Sequence, residues 1–250
     1  MHKFFTPSEY IVEDLYGKIV GEDVKHIYKV LRLQEGEKVV LNDCNGNEYL
    51  ARIKDVSKTE VNLDIIEKLE LNNESDIEIV LFQGMPKAQK MDLIVQKGTE
   101  LGISKFIPLI TERVDVKLKG DFKKLDRLNR IALEACKQSK RSIIPEVLNP
   151  ITLEELIKDM RDFDLIIVPY ENKEDYGIKS LMKDIDRENI KRIGIVVGPE
   201  GGFEEDEISK LKEEGAHIIT LGKRILRTET AGFVATSLLQ YELGDLGGII

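Results

Sequence analysis

The sequence predicts an α/β protein in two parts: a small β-rich segment with one helix, then a parallel sheet with helices on both faces. Three observations predict this. Over the first seventy or so residues the apolar positions come in short, alternating, β-branched runs. From about residue 77 the strands become nearly continuous apolar runs and alternate with helical stretches, the pattern of a parallel sheet buried on both sides. Between the two lies "LELNNESD" (69–76), polar and turn-forming, the best candidate linker.

In the first part, "EKVVLND", "NEYLARIKDV" and "EVNLDIIEKL" read as strands. "DCNGN" between the first two holds an Asn-Gly turn signal and predicts a hairpin. "GEDVKHIYKVLRL" is the helix, with Val24, Ile27, Tyr28 and Leu31 at helical spacing; Val30 and Leu31 read as core and His26, Lys29 and Arg32 as an outward face. In the second part, "IEIVLFQG" is a strand, "KMDLIVQKGTELGI" an amphipathic helix, "KFIPLIT" a strand and "DFKKLDRLNRIALEACKQSKR" a long helix. "ITLEELIKDM" starts with Thr152 and has Glu155 three places on, a capping-box signature. Then follow "FDLIIVPY" (strand), "GIKSLMKDI" (helix), "RIGIVV" (strand), "EEDEISKLKEEG" (helix), "HIITLG" (strand) and "TAGFVATSLLQYEL" (closing helix).

Composition narrows the function. The formal net charge of −9 excludes a chain coated in positive charge but leaves room for a local basic face. No apolar run approaches the ~20 residues of a membrane helix, and "MHKFFTPSEYIVEDLYGKIV" lacks the apolar core of a signal peptide, so a cytoplasmic protein without a membrane segment is expected. Cys44 and Cys136 stand apart without a CxxC, and His2, His26 and His217 do not cluster; no metal is expected.

The informative stretch is "GPEGGF" (198–203), between the strand "RIGIVV" and an acidic helix start. A glycine-rich turn at the carboxyl end of a parallel strand is where open α/β sheets bind ligands; the alternative is a tight turn with no ligand. GxGxxG and GxxxxGK[ST] are both absent, so neither a dinucleotide site nor a P-loop is supported. Glu200, Glu204, Glu205, Asp206 and Glu207 suit the helix dipole but oppose a polyphosphate. An uncharged or cationic ligand fits better, and S-adenosylmethionine, with its positive sulfonium, is one.

"GPEGG", followed about twenty residues later by "LGKRILRTETA", resembles the SPOUT class of methyltransferases, and more narrowly the bacterial 16S ribosomal RNA (uracil-N3)-methyltransferase family. "QKGTELGI", "PLITERV" and "EACKQSKRSIIPEV" match that family in order and spacing, so the resemblance spans essentially the whole chain. It implies a PUA-like RNA-binding β-barrel over residues 1–72 and a trefoil-knotted α/β methyltransferase domain over 73–250, working as a homodimer on 16S rRNA within the 30S subunit. It also implies a cofactor site for S-adenosylmethionine in three loops: Pro169, Tyr170 and Glu171; Gly198, Pro199, Glu200, Gly201 and Gly202; and Leu221, Gly222, Ile225, Leu226, Arg227, Thr230 and Ala231.

The reaction so implied is attack of uracil N3 on the sulfonium methyl. Arg227 is the candidate for stabilising the developing uracil anion, or else an ion-pair partner of Glu229 or Glu200. Glu229 and Glu200 are the candidate proton acceptors, with a helix N-terminal charge as the alternative for Glu229; water or a backbone carbonyl also serves. Thr228 or Thr230 is the expected N-cap. For RNA, the window 113–141 holds ten basic residues against four acids. A solvated helix face is the plain reading of such a run; beside methyltransferase motifs it favours phosphate contacts. The candidates are Lys3 (where the family usually has arginine), Arg32, Arg113, Lys123, Lys124, Lys137, Gln138 and Arg141. Two other classes compete: a nucleotide-dependent transferase, and a non-catalytic RNA-binding or ribosome-assembly protein. Action on a different RNA is a further alternative.

Overall fold

The computed structural model describes residues 1–70, 73–114, 122–173 and 175–248. Asp115, Lys117, Lys119 and Asp121 of the basic window, and Leu71 and Asn72 of the polar stretch, lie outside the described residues. The chain forms two compact units: Met1–Glu74 with Cys136–Ile144, and Ser75–Ala135 with Pro145–Ile250.

The first unit is a six-stranded sheet of β1 (Lys3–Phe5), β2 (Ile11–Val12), β3 (Tyr16–Val20), β4 (Lys38–Asn42), β5 (Glu48–Val56) and β6 (Glu60–Leu69), in the order β1-β4-β5-β6-β3-β2. Only β1–β4 is parallel. The Asn-Gly signal does mark a hairpin: Asn42 pairs with Glu48, and the Asp43 carboxylate ties the turn by accepting from the main-chain N–H groups of Asn45 and Asn47 at 2.8 and 2.9 Å. Alternate residues (Val39 and Leu41, Ala51 and Ile53, Val61 and Leu63) bury into one core with Ile19 and Phe4. Helix α1 (Glu22–Lys25) runs on as a π-helix, His26–Leu31. Val24 and Ile27 are buried as expected, but Val30 is 67% exposed. Helical spacing explains this: at about 100° per residue Val30 points away from the stripe of Val24, Ile27 and Leu31, so the expectation of a core position was wrong.

The second unit is a parallel sheet with strands β7 (Glu78–Gly84), β8 (Ile103–Ile110), β9 (Glu146–Val147), β10 (Ile151–Thr152), β11 (Leu165–Pro169), β12 (Arg192–Val197) and β13 (His217–Ile219). The order is β10-β8-β7-β12-β11-β13, with β9 also on β8, and every pairing is parallel. The strands are continuous apolar runs because both faces are covered. Ile79, Leu81, Leu165, Ile167, Ile193 and Ile195 point to one core, Val80, Phe82, Ile166, Val168 and Val196 to the other. The first core is closed by α2 (Lys90–Glu100), α3 (Leu125–Ser139), α5 (Ile178–Asp184) and α7 (Thr228–Leu243), the second by α4 (Leu153–Asp159) and α6 (Glu205–Glu213). Thr152 and Glu155 form the capping box read from the sequence. The threonine cap expected for α7 is not there. Arg227 is the N-cap residue and Thr228 the first helical one, its hydroxyl bound elsewhere.

Candidate active site

The carboxyl ends of β12, β11 and β13 lie side by side, and the chain leaves them in loops 198–203, 169–171 and 220–227. A cavity of about 400 Å³ opens between them, within the size range of small-molecule sites. Its walls include Pro169, Glu171, Gly198, Pro199, Glu200, Gly202, Ile225, Leu226, Arg227, Thr228 and Ala231, with Lys90. A smaller recess of about 90 Å³ shares Pro169, Glu171, Ile225, Leu226 and Ala231 and adds Tyr170, Leu221 and Gly222. Gly201 lines neither; it borders a third cavity with Arg113, Lys87, Met85, Pro199 and Glu200. Thr230 is not among the residues lining any of the three.

Buried bonds set the position of the glycine loop. Gly84 ends β7 directly against Pro199, where a Cβ would sit 2.4 Å from the Pro199 nitrogen, so glycine is required there. The Thr228 hydroxyl donates to the Gly198 carbonyl at 2.6 Å and accepts from the fully buried Gln83 amide at 2.7 Å. One chain of bonds thus joins β7, the loop and α7. Gly202 adopts φ +71°, and a Cβ there would lie 3.0 Å from a Glu171 carboxylate oxygen. Arg113 braces the loop from outside: its guanidinium grips both Glu204 carboxylate oxygens at 2.7 and 2.8 Å and donates to the Gly201 carbonyl at 2.9 Å. The Gly201 Cβ position is 3.0 Å from Arg113 Cβ, so this glycine makes room for the brace.

The charges are arranged unevenly. Lys90 bridges Glu200 at 3.0 Å and Glu229 at 3.4 Å. Burial pushes the Glu200 carboxyl up. The Lys90 ammonium and the main-chain N–H groups of Lys87 and of Glu200 itself outweigh it, holding the group below its ordinary value. The bond to Glu200 in turn raises Lys90. Arg227, expected either free for a ligand or paired with these carboxylates, is exposed and has no ion pair or hydrogen bond from its guanidinium among the described residues. Lys90 was not read as a site residue, although its place gives a signal. It opens α2, where the helix dipole disfavours a cation unless acids answer it. Gln83 gave a comparable one, as a lone amide at the end of an apolar strand.

Several residues expected to meet RNA are held within the fold. Lys3 bonds Glu48 and the carbonyls of Lys140 and Arg141. Arg141 is buried, its guanidinium on Glu74 at 2.6 and 3.0 Å. Lys137 pairs with Asp23 at 3.0 Å, and Arg113 with Glu204. Lys124 is exposed and, among the described residues, reaches only the Ala88 carbonyl, at 3.4 Å. Arg32, Lys123 and Gln138 are exposed, with no side-chain bond among the described residues.

Comparison with known proteins identifies the family. Residues 73–240 match the RNA methyltransferase domain family and residues 19–66 the RNA methyltransferase PUA domain family. The chain is 39% identical to ribosomal RNA small subunit methyltransferase E of Bacillus subtilis over 99% of each protein. It is 36% identical to the protein of that name from Aquifex aeolicus, over 96% of this chain and 99% of the other. The crystal structure of a ribosomal RNA small subunit methyltransferase E from Neisseria gonorrhoeae, bound to S-adenosyl methionine, matches with a TM-score of 0.84 at 32% identity, over 98% of this chain and 99% of that one. A parallel sheet over residues 73–240 that matches the family model, and relatives more than 30% identical over nearly the full chain, place the chain in the RNA methyltransferase family.

Proposed function

We propose that the chain methylates N3 of a specific uridine in 16S rRNA of the small ribosomal subunit, using S-adenosylmethionine. The observation that carries this reading is the cavity walled by loops 169–171, 198–203 and 220–227 with an unpaired guanidinium at its rim. The relatives named above act on small-subunit ribosomal RNA by name, and the N. gonorrhoeae protein was solved with S-adenosyl methionine bound. The cavity suits that cofactor. Its walls include the glycine loop and the apolar Pro169, Val197, Phe203, Ile225, Leu226 and Ala231, and Glu171 offers a carboxylate to a cation, while Glu200 is already paired with Lys90.

The cofactor, when bound, supplies an electrophilic methyl group on a positive sulfur. The residues of this chain do the rest. The main chain of 198–202 and 225–231 holds the donor, and Thr228 and Gln83 fix the loop against which it lies. Alignment of the reacting atoms is worth up to ~7–11 kcal/mol in favourable cases. The Arg227 guanidinium faces uracil O2 or O4 and favours the anion left when the N3 proton departs. Glu200 and Glu229, both bridged by Lys90, are acceptors for that proton. The depressed Glu200 value makes it a weak base, so water shares the role. Arg32, Lys123, Lys124 and Gln138 face the RNA.

The same reading makes residues 73–250 a trefoil-knotted SPOUT domain and 1–72 a PUA-like barrel. Supporting the knot, α7 leaves β13 at the edge of the sheet and packs back on α2, β7 and β12. Exposed Leu93 on α2 and Leu238 and Tyr241 on α7 support a homodimer. No helix among the described residues is long and apolar enough to cross a membrane, which agrees with a cytoplasmic enzyme. The test is incubation with labelled S-adenosylmethionine and 30S subunits from cells lacking the modification, followed by mapping of the methylated base. Label at N3 of one 16S uridine is the expected result; label only in another RNA, or in a small metabolite, overturns the assignment.

A further inference from the structure

The loop between β13 and α7 carries two cations that none of the roles above uses. Lys223 and Arg224 are both exposed, and neither has an ion pair or hydrogen bond from its side chain among the described residues. They stand in "LGKRILRT" (221–228), which holds three cations and no acid in a chain of net charge −9. This contrasts with Lys3, Arg113, Lys137 and Arg141, whose charges are each answered by a carboxylate. Both residues line the smaller recess, which shares Ile225 and Leu226 with the larger cavity. The loop is a built turn. The Thr220 hydroxyl donates to the Gly222 carbonyl at 3.3 Å and accepts from the Gly222 N–H at 3.1 Å, and Gly222 takes φ +120°. Next to them Ile225 is 86% exposed. Two unanswered cations beside an apolar side chain in water make a surface suited to a nucleotide, with phosphate against the charges and ribose or base against the isoleucine.

We propose that Lys223 and Arg224 form a phosphate clamp at the mouth of the cavity, binding the RNA backbone next to the nucleotide that Arg227 receives. Net acidity beyond about one Debye length, ~8–10 Å, is largely screened, and the one acid among the described residues lining the recess, Glu171, is outnumbered there by the two cations. The inference rests on the RNA methyltransferase reading, and its test separates the two.

Binding of fluorescently labelled small-subunit rRNA fragments is measured by anisotropy across a salt series, for the full chain and for K223A, R224A and the double variant. In parallel, S-adenosylmethionine affinity is measured by calorimetry and methyl transfer by label incorporation. Each lost phosphate contact makes the slope of log K against log salt shallower by about 1, so the double variant should lose about 2. Its RNA affinity should fall about tenfold or more at moderate salt, with kcat/KM falling mainly through KM. K223R and R224K should keep the wild-type slope, since both retain the charge. An unchanged slope in the double variant overturns the clamp. So does a loss of cofactor affinity exceeding the loss of RNA affinity, which would give these cations to the cofactor carboxylate. So does absence of RNA binding by the wild-type chain. If the wild type binds RNA with a slope that the double variant reduces but transfers no methyl group to it, the clamp stands and the proposed activity falls.

Discussion

Arg227 sits exposed on the cavity rim, while the two acids expected as its ion-pair partners, Glu200 and Glu229, are taken by Lys90. A guanidinium left free in this way is available to a ligand, and its removal should cost turnover without cost to the fold. R227A should lower kcat about 10²–10³-fold, as loss of one anion-stabilising donor does elsewhere, with cofactor affinity near wild type by calorimetry. Unchanged turnover would make it a surface charge. Lys90 gives a pH prediction. Glu200 is held below its ordinary value in the fold, so its contribution to stability is present above the ordinary carboxylate range and is lost as pH falls through the depressed folded value. K90M removes the counter-charge. Its denaturation midpoint should lie slightly below wild type at neutral pH, by under about 1 kcal/mol for so exposed a pair, and the gap should close on acidification. Parallel pH curves would show that the bridge does not set the Glu200 titration. Neither Lys90 nor Gln83 was legible as a site residue by motif, yet each broke a local rule: a cation at a helix start, an amide in an apolar strand.

At the scale of elements, the glycine loop is fixed from two sides, and the sides are separable. Gly202 faces Glu171 with φ +71°, a region that valine avoids. G202V should raise the cofactor Kd more than about tenfold while leaving the far-ultraviolet circular dichroism intact; wild-type affinity would remove this loop from the pocket wall. On the outer side, Arg113 clamps Glu204 and the Gly201 carbonyl together. R113K keeps the charge but loses the fork. A brace predicts weaker cofactor binding in R113K with little change in the salt dependence of RNA binding, whereas a phosphate contact predicts the reverse. The elements themselves were read well where the period was long. Five of the seven described strands of the parallel sheet, the hairpin at Asn45-Gly46 and the Thr152 capping box follow from local chemistry. The strands β1, β2, β9 and β10, of two or three residues, are too short to show any period, and Val30, read as core, lies off the stripe of Val24, Ile27 and Leu31 and is exposed.

For the whole molecule, what sequence alone could not supply was the partner of each charge. Lys3 meets Glu48, Arg113 meets Glu204 and Lys137 meets Asp23, pairs that lie 45, 91 and 114 residues apart, so a run of cations read as an RNA face is in part the fold's own ion pairing. The site was legible in a different way. Stretches 169–171, 198–203 and 220–227, well separated along the chain, meet at one sheet edge because parallel strands all end on the same side. The central claim is that this edge holds the methyl donor by its main chain. A crystal structure of the full chain grown with S-adenosylmethionine tests it most directly. The account predicts the donor in the cavity of about 400 Å³, against 198–202 and 225–231, with its methyl toward Arg227. Density for the donor at any other place on the chain would contradict it.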